Sequence, residues 1–449
     1  MFETLNKKTE TLKNSTIPLI RLLAVALLAT TGATAWAQNG FNLPYTQFGL
    51  GSTQSAYNAP LGGGIGGTVY ATRGYNYVNP YNPASYAAIE RESFVLDIGL
   101  AMKRYNQSDA TNSMSDFDGN LSHLALAFPL TGWWKTAIGL TPYNDTEYES
   151  TSLNTMSDGL QVKTIYDGTG SIYRAFWGNG FNITPKLTVG FNLNYLYGNI
   201  DRGLKYDILG SDTNHYADSR RVKHTHISSL TLDLGAQYRM ELDEKRTLTL
   251  GLTMELPRNL TTHDTSWVYT LVEGSETANS IVDSTHYDSQ AKLPFGVGLG
   301  VAYDYNNLWR IAADLHYAPW HGMKYEEGLT PPVFPQSTLD YIPNCTAALA
   351  LSWLGDANAS SYWRRIGISA GVHYDYGRMG MNLTTGSERI DEWGAGMNFS
   401  FPIRKGRSKI QLSMAYSSMG KKELLKVECY TFGLTLSSCE QWFAKRKYN

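Results

Sequence analysis

The chain has 449 residues, with 38 Lys+Arg against 40 Asp+Glu for a formal net charge of −2. A balance so close to neutral leaves no basic surplus to gather a polyanion, which excludes a nucleic-acid binder. Only 17% of residues are charged while 12% are aromatic, and mean hydropathy is −0.30. That combination excludes both a disordered chain and a bundle of membrane helices.

The chain opens with a basic stretch carrying Lys7, Lys8, Lys13 and Arg21, an apolar stretch from Leu22 to Leu28, and the small-residue end Ala35-Trp36-Ala37. This order reads as a secretory signal peptide over residues 1–37, cleaved before Gln38. Thr30, Thr31 and Gly32 interrupt the apolar run well short of the roughly 20 residues that a spanning helix needs. Since Cys345 is the first cysteine in the chain, an acylated N-terminus is excluded. An exported chain with Cys345, Cys429 and Cys439 leaves one thiol over, so the three read as small strand residues rather than a disulfide framework.

Residues 38–91 are different in kind from the rest of the chain. They hold Gly62-Gly63-Gly64, Gly66-Gly67, several Asn and many Tyr, without sustained alternation. A segment lacking its own core, yet rich in aromatic rings, is expected to be held inside a larger structure as a hatch or plug.

From residue 92 onward the period is two. Phe94, Leu96, Ile98, Leu100 and Met102 alternate with Val95, Asp97, Gly99, Ala101 and Lys103, which gives a strand one apolar and one mixed face. Leu230, Leu232 and Leu234 repeat the pattern, as do Leu248, Leu250, Leu252 and Met254. Alternating segments fall near 94–103, 121–129, 133–143, 170–178, 187–198, 227–241, 246–256, 293–304, 308–318, 344–354, 363–375, 390–402, 408–417 and 427–437. Fourteen such strands of about 9–15 residues fit a bacterial membrane barrel, which takes even strand numbers and tilted strands of about that length. Short turns such as Pro129–Gly132 and Leu242–Lys245 are expected to alternate with long outer loops at 144–169, 199–226, 257–292 and 319–343. The expected fold is therefore all-β, a 14-stranded antiparallel transmembrane β-barrel over 92–449 with an N-terminal hatch inside the lumen.

Asn79-Pro80-Tyr81-Asn82-Pro83-Ala84-Ser85-Tyr86, just before the first strand, resembles the Asn-Pro-Ala element that ends the hatch of FadL-like outer-membrane transport proteins (the FadL/TodX family). Trp134–Tyr143 resembles their third strand with its Pro-aromatic ending, and Leu293–Trp320 resembles their Pro, strand, turn, strand, Trp hairpin. The ending Tyr430–Lys447, with Trp442-Phe443, resembles FadL-like proteins of the Bacteroidetes lineage. The resemblance implies passive diffusion of long-chain fatty acids or similar apolar compounds across the outer membrane, through an apolar pocket above the hatch and a lateral gap in the wall. It places the gate on Asn79, Pro80, Asn82, Pro83, Ala84 and Tyr86.

Trp267, Tyr269 and Leu271, with Val268, would offer an apolar capture surface on an outer loop. Among charges on the lumen side, Arg174, Arg239, Arg310 and Asp314 are expected to pair with one another or with the hatch, because charge on the lipid face is costly. No G-x-S-x-G elbow or Ser-His-Asp spacing is present, so no catalytic residue is expected, and neither is a cofactor or a metal ligand set. His215, His224 and His226, in or beside one expected outer loop, read as solvated rather than metal-binding. Expected partners are a hydrophobic small molecule such as a fatty acid, outer-membrane lipid, and the barrel assembly machinery that inserts such proteins, with the barrel itself a monomer. The alternative is a FadL-like barrel serving as a protein-docking or secretion-shuttle component.

Overall fold

The computed structural model describes residues 43–47, 50, 52–53, 67–110, 112–156, 159–209, 218–271, 278–320, 338–377, 379–383, 386–403 and 407–441. The signal-peptide reading, the glycine run at 62–64, His215, most of the 319–343 loop and the ending after Gln441 lie outside the described residues.

Fourteen antiparallel strands close on themselves. They are β1 (Ser93–Ser108), β2 (Ser113–Pro129), β3 (Trp134–Thr155), β4 (Gln161–Asn182), β5 (Leu187–Leu209) and β6 (Ser219–Glu241). Then come β7 (Arg246–Glu255 continued by Arg258–Leu271), β8 (Ala278–Leu293 continued by Gly296–Tyr305), β9 (Trp309–Pro319) and β10 (Pro343–Trp353). The last four are β11 (Gly367–Tyr376), β12 (Glu392–Ile403), β13 (Ser408–Met419) and β14 (Lys426–Gln441). Each pairs with its successor, and β14 pairs with β1 from Ser93↔Gln441 to Ser108↔Lys426, which leaves no terminal edge. Pro257 and Pro294 break β7 and β8 at matching heights, Glu255↔Gly296 lying below the break and Arg258↔Leu293 above it. A proline there removes a ladder donor without ending the strand.

The alternation has its expected meaning. Leu250 and Leu252 are exposed while Thr249 and Thr253 are buried, and Leu349 and Leu351 are exposed while Ala348 and Ala350 are buried. The outer wall is thus a continuous aliphatic and aromatic band, which only lipid solvates well, and the strand backbone is satisfied by closure. Trp133, Trp309 and Trp353 mark one rim at the short turns, with Trp309 and Trp353 in edge contact at 5.0 Å between centroids. None of Cys345, Cys429 and Cys439 forms a disulfide.

Two expectations change. β3 to β6 run 22 or 23 residues, far beyond the 9–15 expected, and the outer connections shrink to 156–160, 210–218 and 272–277. At about 3.3 Å per residue such strands reach well past a hydrocarbon layer of about 25 Å, so one flank of the barrel stands tall above the membrane. Residues 363–365, expected at the start of a strand, belong instead to a short helical turn, Tyr362–Arg365.

Candidate functional site: the plugged lumen and its lateral seam

Residues 67–91 pack against the inward face of the barrel. Asn82 adopts an extended conformation (φ −135, ψ 101) and caps the short 3-10 helix Pro83–Ala88, its Oδ1 accepting from Ala84 N–H at 3.1 Å. Proline at the first helical position needs no donor there, so Asn-Pro-Ala is a self-contained cap. The Asn82 amide donates in turn to Tyr70 O at 2.6 Å, and Asn79 donates to Val69 O at 2.6 Å. These bonds tie the two halves of the plug together.

The wall then holds the plug. Asn192 on β5 donates to Pro80 O at 2.7 Å and accepts from the Tyr86 phenol at 3.0 Å. Burial pushes the Tyr86 phenol above its ordinary pKa, against the Arg174 cation nearby, so it stays a donor. Asp314 on β9 accepts from the N–H groups of Val69 at 2.5 Å and Tyr70 at 2.7 Å, and Asp97 on β1 accepts from Val78 N–H at 3.1 Å. Charged acceptors for backbone donors are the stronger class of such bonds. Burial also lowers Arg73, in the same segment, to about 10.

Glycines make this approach possible. A Cβ on Gly190 would lie 2.5 Å from the Pro83 carbonyl carbon, and one on Gly180 would lie 2.8 Å from Ala87 N. The plug therefore rests on bare backbone of β4 and β5, where any side chain would push it away. Sequence reasoning misses these glycines, although their inward parity is readable.

Every hatch residue named from the sequence is placed in this network: Asn79, Asn82, Ala84 and Tyr86 are each less than 5% exposed, and Pro80 and Pro83 are buried with them. Among the charges, Arg174 lies over the Tyr81 ring at 5.6 Å and donates to Thr141 Oγ1 at 3.1 Å. Arg310 donates to Asp304 at 2.6 Å, and Arg239 sits exposed at the rim 3.4 Å from Glu241. Trp267, Tyr269 and Leu271 are corrected in their setting. They lie on the upper part of β7, paired with β8 and β6, not on a loop, and Leu271 is buried. His224 and His226 are likewise on β6, against Asp201 at 2.5 Å and Asn199 at 2.7 Å.

A second group of N-terminal residues packs against the wall across from the plug. Leu43 and Tyr45 pack with Tyr105, Ile390 and Val427, and Leu50 packs with Ile172, Leu196, Ile200 and Ile227. The Tyr45 phenol donates to Leu425 O at 2.6 Å. Between these residues and the plug lies a cavity of about 220 Å³, walled by Leu43 and Tyr45 on one side and Gly67, Tyr70 and Tyr81 on the other. Asp233, Glu255, Asp314, Asp375 and Glu392 also line it, against Arg174 and His316. The chamber wall thus combines apolar side chains, among them Leu256, Leu293, Ile390 and Met419, with these carboxylates.

The wall itself is split on one side. The ladder between β2 and β3 covers only Leu124–Pro129 against Lys135–Leu140, although both strands continue above it. Pro142 cannot donate across the gap, and a register shift between Pro142 and Asn144 bends β3 toward β4. The β3 edge above the split is taken by the chain's own N-terminal part. Ser52 and Thr53 pair with Asp145 and Asn144, and Leu43 N donates to Glu147 O at 2.8 Å. The Thr46 hydroxyl lies 3.1 Å from both Glu147 N and O.

A family model described as BamG matches residues 19–449. The chain belongs to the BamG family. No curated protein matches this BamG-family chain. Among solved structures, it is similar to the CymD monoaromatic hydrocarbon channel, at 13% identity over 88% of this chain and 100% of that one, with a TM-score of 0.54. The toluene transporter TodX of Pseudomonas putida gives 16% identity over 90% and 100%, with a TM-score of 0.52. A FadL homologue of Pseudomonas aeruginosa gives 12% over 86% and 98%, with a TM-score of 0.50. The BamG-family chain thus has the FadL-like outer-membrane barrel fold, which the Asn-Pro-Ala element, the Pro142-Tyr143 pair and the Pro294 hairpin mark in the sequence.

Proposed function

We propose that the protein is a sealed outer-membrane barrel that works as a protein-docking component, assembling with the barrel assembly machinery after which its family is named. What supports this reading is the match to the BamG family model, beside a lumen in which Leu43, Tyr45 and the 67–91 segment pack against the wall around a chamber that carries carboxylates. An apolar solute entering that chamber would displace water from carboxyl groups without replacing their hydrogen bonds, at a cost of about 1–3 kcal/mol per group. The long strands β3 to β8 offer a surface above the membrane for another protein. Affinity purification of the full chain from gently solubilised outer membranes tests it. Stoichiometric barrel-assembly proteins are the expected outcome, and recovery of the chain alone would remove the reading.

A second reading rests on the split between β2 and β3. Hydrophobic small molecules, long-chain fatty acids or monoaromatic compounds, would pass a displaced hatch at Asn79 to Tyr86 and leave sideways through that split, with Trp267, Tyr269 and Leu271 as outer contacts. The fold shared with the toluene and hydrocarbon channels supports it. Saturable uptake of labelled oleate or toluene by proteoliposomes would favour this reading over docking.

A further inference from the structure

The inward face of β6 and β7 carries two carboxyl groups side by side. Asp233 and Glu255 are register partners across that ladder, and both line the chamber. Like charges directly opposite each other on one face of a sheet repel, so the placement is unfavourable unless a positive charge meets both. Asp314, Asp375 and Glu392 complete a lining on which five carboxyl groups stand against two basic side chains, Arg174 and His316. Arg174 is turned to the Tyr81 ring and the Thr141 hydroxyl, and His316 lies 3.7 Å from Glu255.

Among the described residues, two acceptor oxygens of the same lining have no hydrogen-bond partner. Asp314, 8% exposed, accepts through Oδ2 from the Val69 and Tyr70 N–H groups, while its Oδ1 has no donor. Asn194, 1% exposed, donates to Asp233 at 2.7 Å and to Thr231 at 3.3 Å, and its Oδ1 likewise has no donor. Buried acceptors without donors are uncommon in folded proteins, and a ligand rich in N–H groups is one way to satisfy them.

We propose that the chamber is a binding site for a small aliphatic amine, its ammonium group lying between Asp233 and Glu255 beside Asn194. A primary ammonium has three donors and one charge, which suits two carboxyl groups and an amide oxygen. In a short diamine the second ammonium reaches Asp314, and the carbons between lie against Leu256, Leu293, Ile390 and Met419. A chamber of about 220 Å³ is smaller than the roughly 300–1,000 Å³ of sites for drug-sized ligands, so its occupant is compact. The carboxyl groups stand on five different strands, and among the described residues no three metal-ligating groups gather on one point. That spread suits a ligand of several atoms better than a bare ion. Pro142 and Tyr143, just past the end of the β2–β3 ladder, belong to the lining too, which gives a small molecule a way in that leaves the plug seated. The amine site does not depend on the docking reading, and the two stand or fall separately.

Calorimetric titration of the full chain in a nonionic detergent tests it, with 1,4-diaminobutane, the uncharged 1,4-butanediol of matched length, and calcium chloride as probes. Saturable binding of the diamine, at least about tenfold tighter than the diol, is expected. No binding of the diamine, equal binding of the diol, or tighter binding of calcium would overturn the proposal. Asp233→Asn and Glu255→Gln each remove one charge at nearly constant shape, and each should weaken the diamine about tenfold. Glu241→Gln, at the exposed rim, should leave its affinity unchanged. Affinity that ignores both lumen substitutions, or that falls equally with Glu241→Gln, would overturn the site. Where a lumen variant loses the heat-modifiable folded form, the three probes on the wild-type chain decide.

Discussion

The phenol of Tyr86 donates to Asn192 Oδ1 at 3.0 Å, and the same Asn192 amide donates to Pro80 O at 2.7 Å. One side chain on β5 thereby grips both ends of the Asn-Pro-Ala element. Because Tyr86 is 1% and Asn192 1% exposed, neither bond is exchanged with water without local opening. Tyr86→Phe should cost about 1–3 kcal/mol, since it strands a buried acceptor. A lower midpoint of heat-induced unfolding in detergent is the expected outcome, and an unchanged midpoint would show that the grip carries no stability.

Asp314 makes the second grip. Asp314→Ala leaves two buried N–H groups without their acceptor, at a cost of about 1–3 kcal/mol each. Amide exchange at Val69 and Tyr70 should accelerate by at least about tenfold while exchange in β4 and β5 stays slow, as measured by hydrogen exchange with mass detection. Equal protection in wild type and variant would mean that the plug is held elsewhere.

Gly190 tests the seat of the plug. Gly190→Val places a Cβ against the Pro83 carbonyl carbon at 2.5 Å, with backbone on both sides. The same Cβ lies 2.6 Å from the Asn179 carbonyl oxygen of β4, so the wall must yield there as well as the plug. The variant is expected to insert as a barrel with a loosened plug, seen as new protease cuts within 67–91 and raised ion conductance in planar bilayers. A closed, uncut variant would contradict the seating of Pro83 on bare strand backbone.

The lipid-facing assignment is open to a charge test. Leu349 on β10 is 52% exposed between inward Ala348 and Ala350. Leu349→Arg should cost about 2–4 kcal/mol if it lies near the bilayer midplane, less toward the rims. Reduced yield of the heat-modifiable folded form is expected, whereas Leu349→Phe should fold normally.

Much of the barrel is legible because a lipid-facing strand writes its period into the sequence. β1, the lower part of β6 and β7 all show it, and Pro142, in the middle of β3, marks the place where the wall divides. The upper halves of β3 to β6 are not legible. Segments such as Thr151-Ser152-Leu153-Asn154 stand above the membrane with water on both sides, so nothing forces alternation there and their sequence reads as loop. For the same reason Trp267 and Tyr269 carry no strand signal, although they sit on a strand. The hatch element is evident from its residues, but the grips at Asn192, Asp314 and Asp97 join positions tens to hundreds apart, a relationship that one sequence does not record. The chamber's carboxylates read singly in the sequence, and only closure of the barrel gathers Asp233, Glu255, Asp375 and Glu392 around one cavity.

The most direct measurement on the sealed lumen compares proteoliposomes carrying wild type, the Asp314→Ala variant and no protein for uptake of labelled oleate and labelled toluene. Wild type should match empty vesicles for both solutes, with any increase confined to the loosened variant. Saturable uptake by wild type would contradict a closed barrel and return the protein to the channel class.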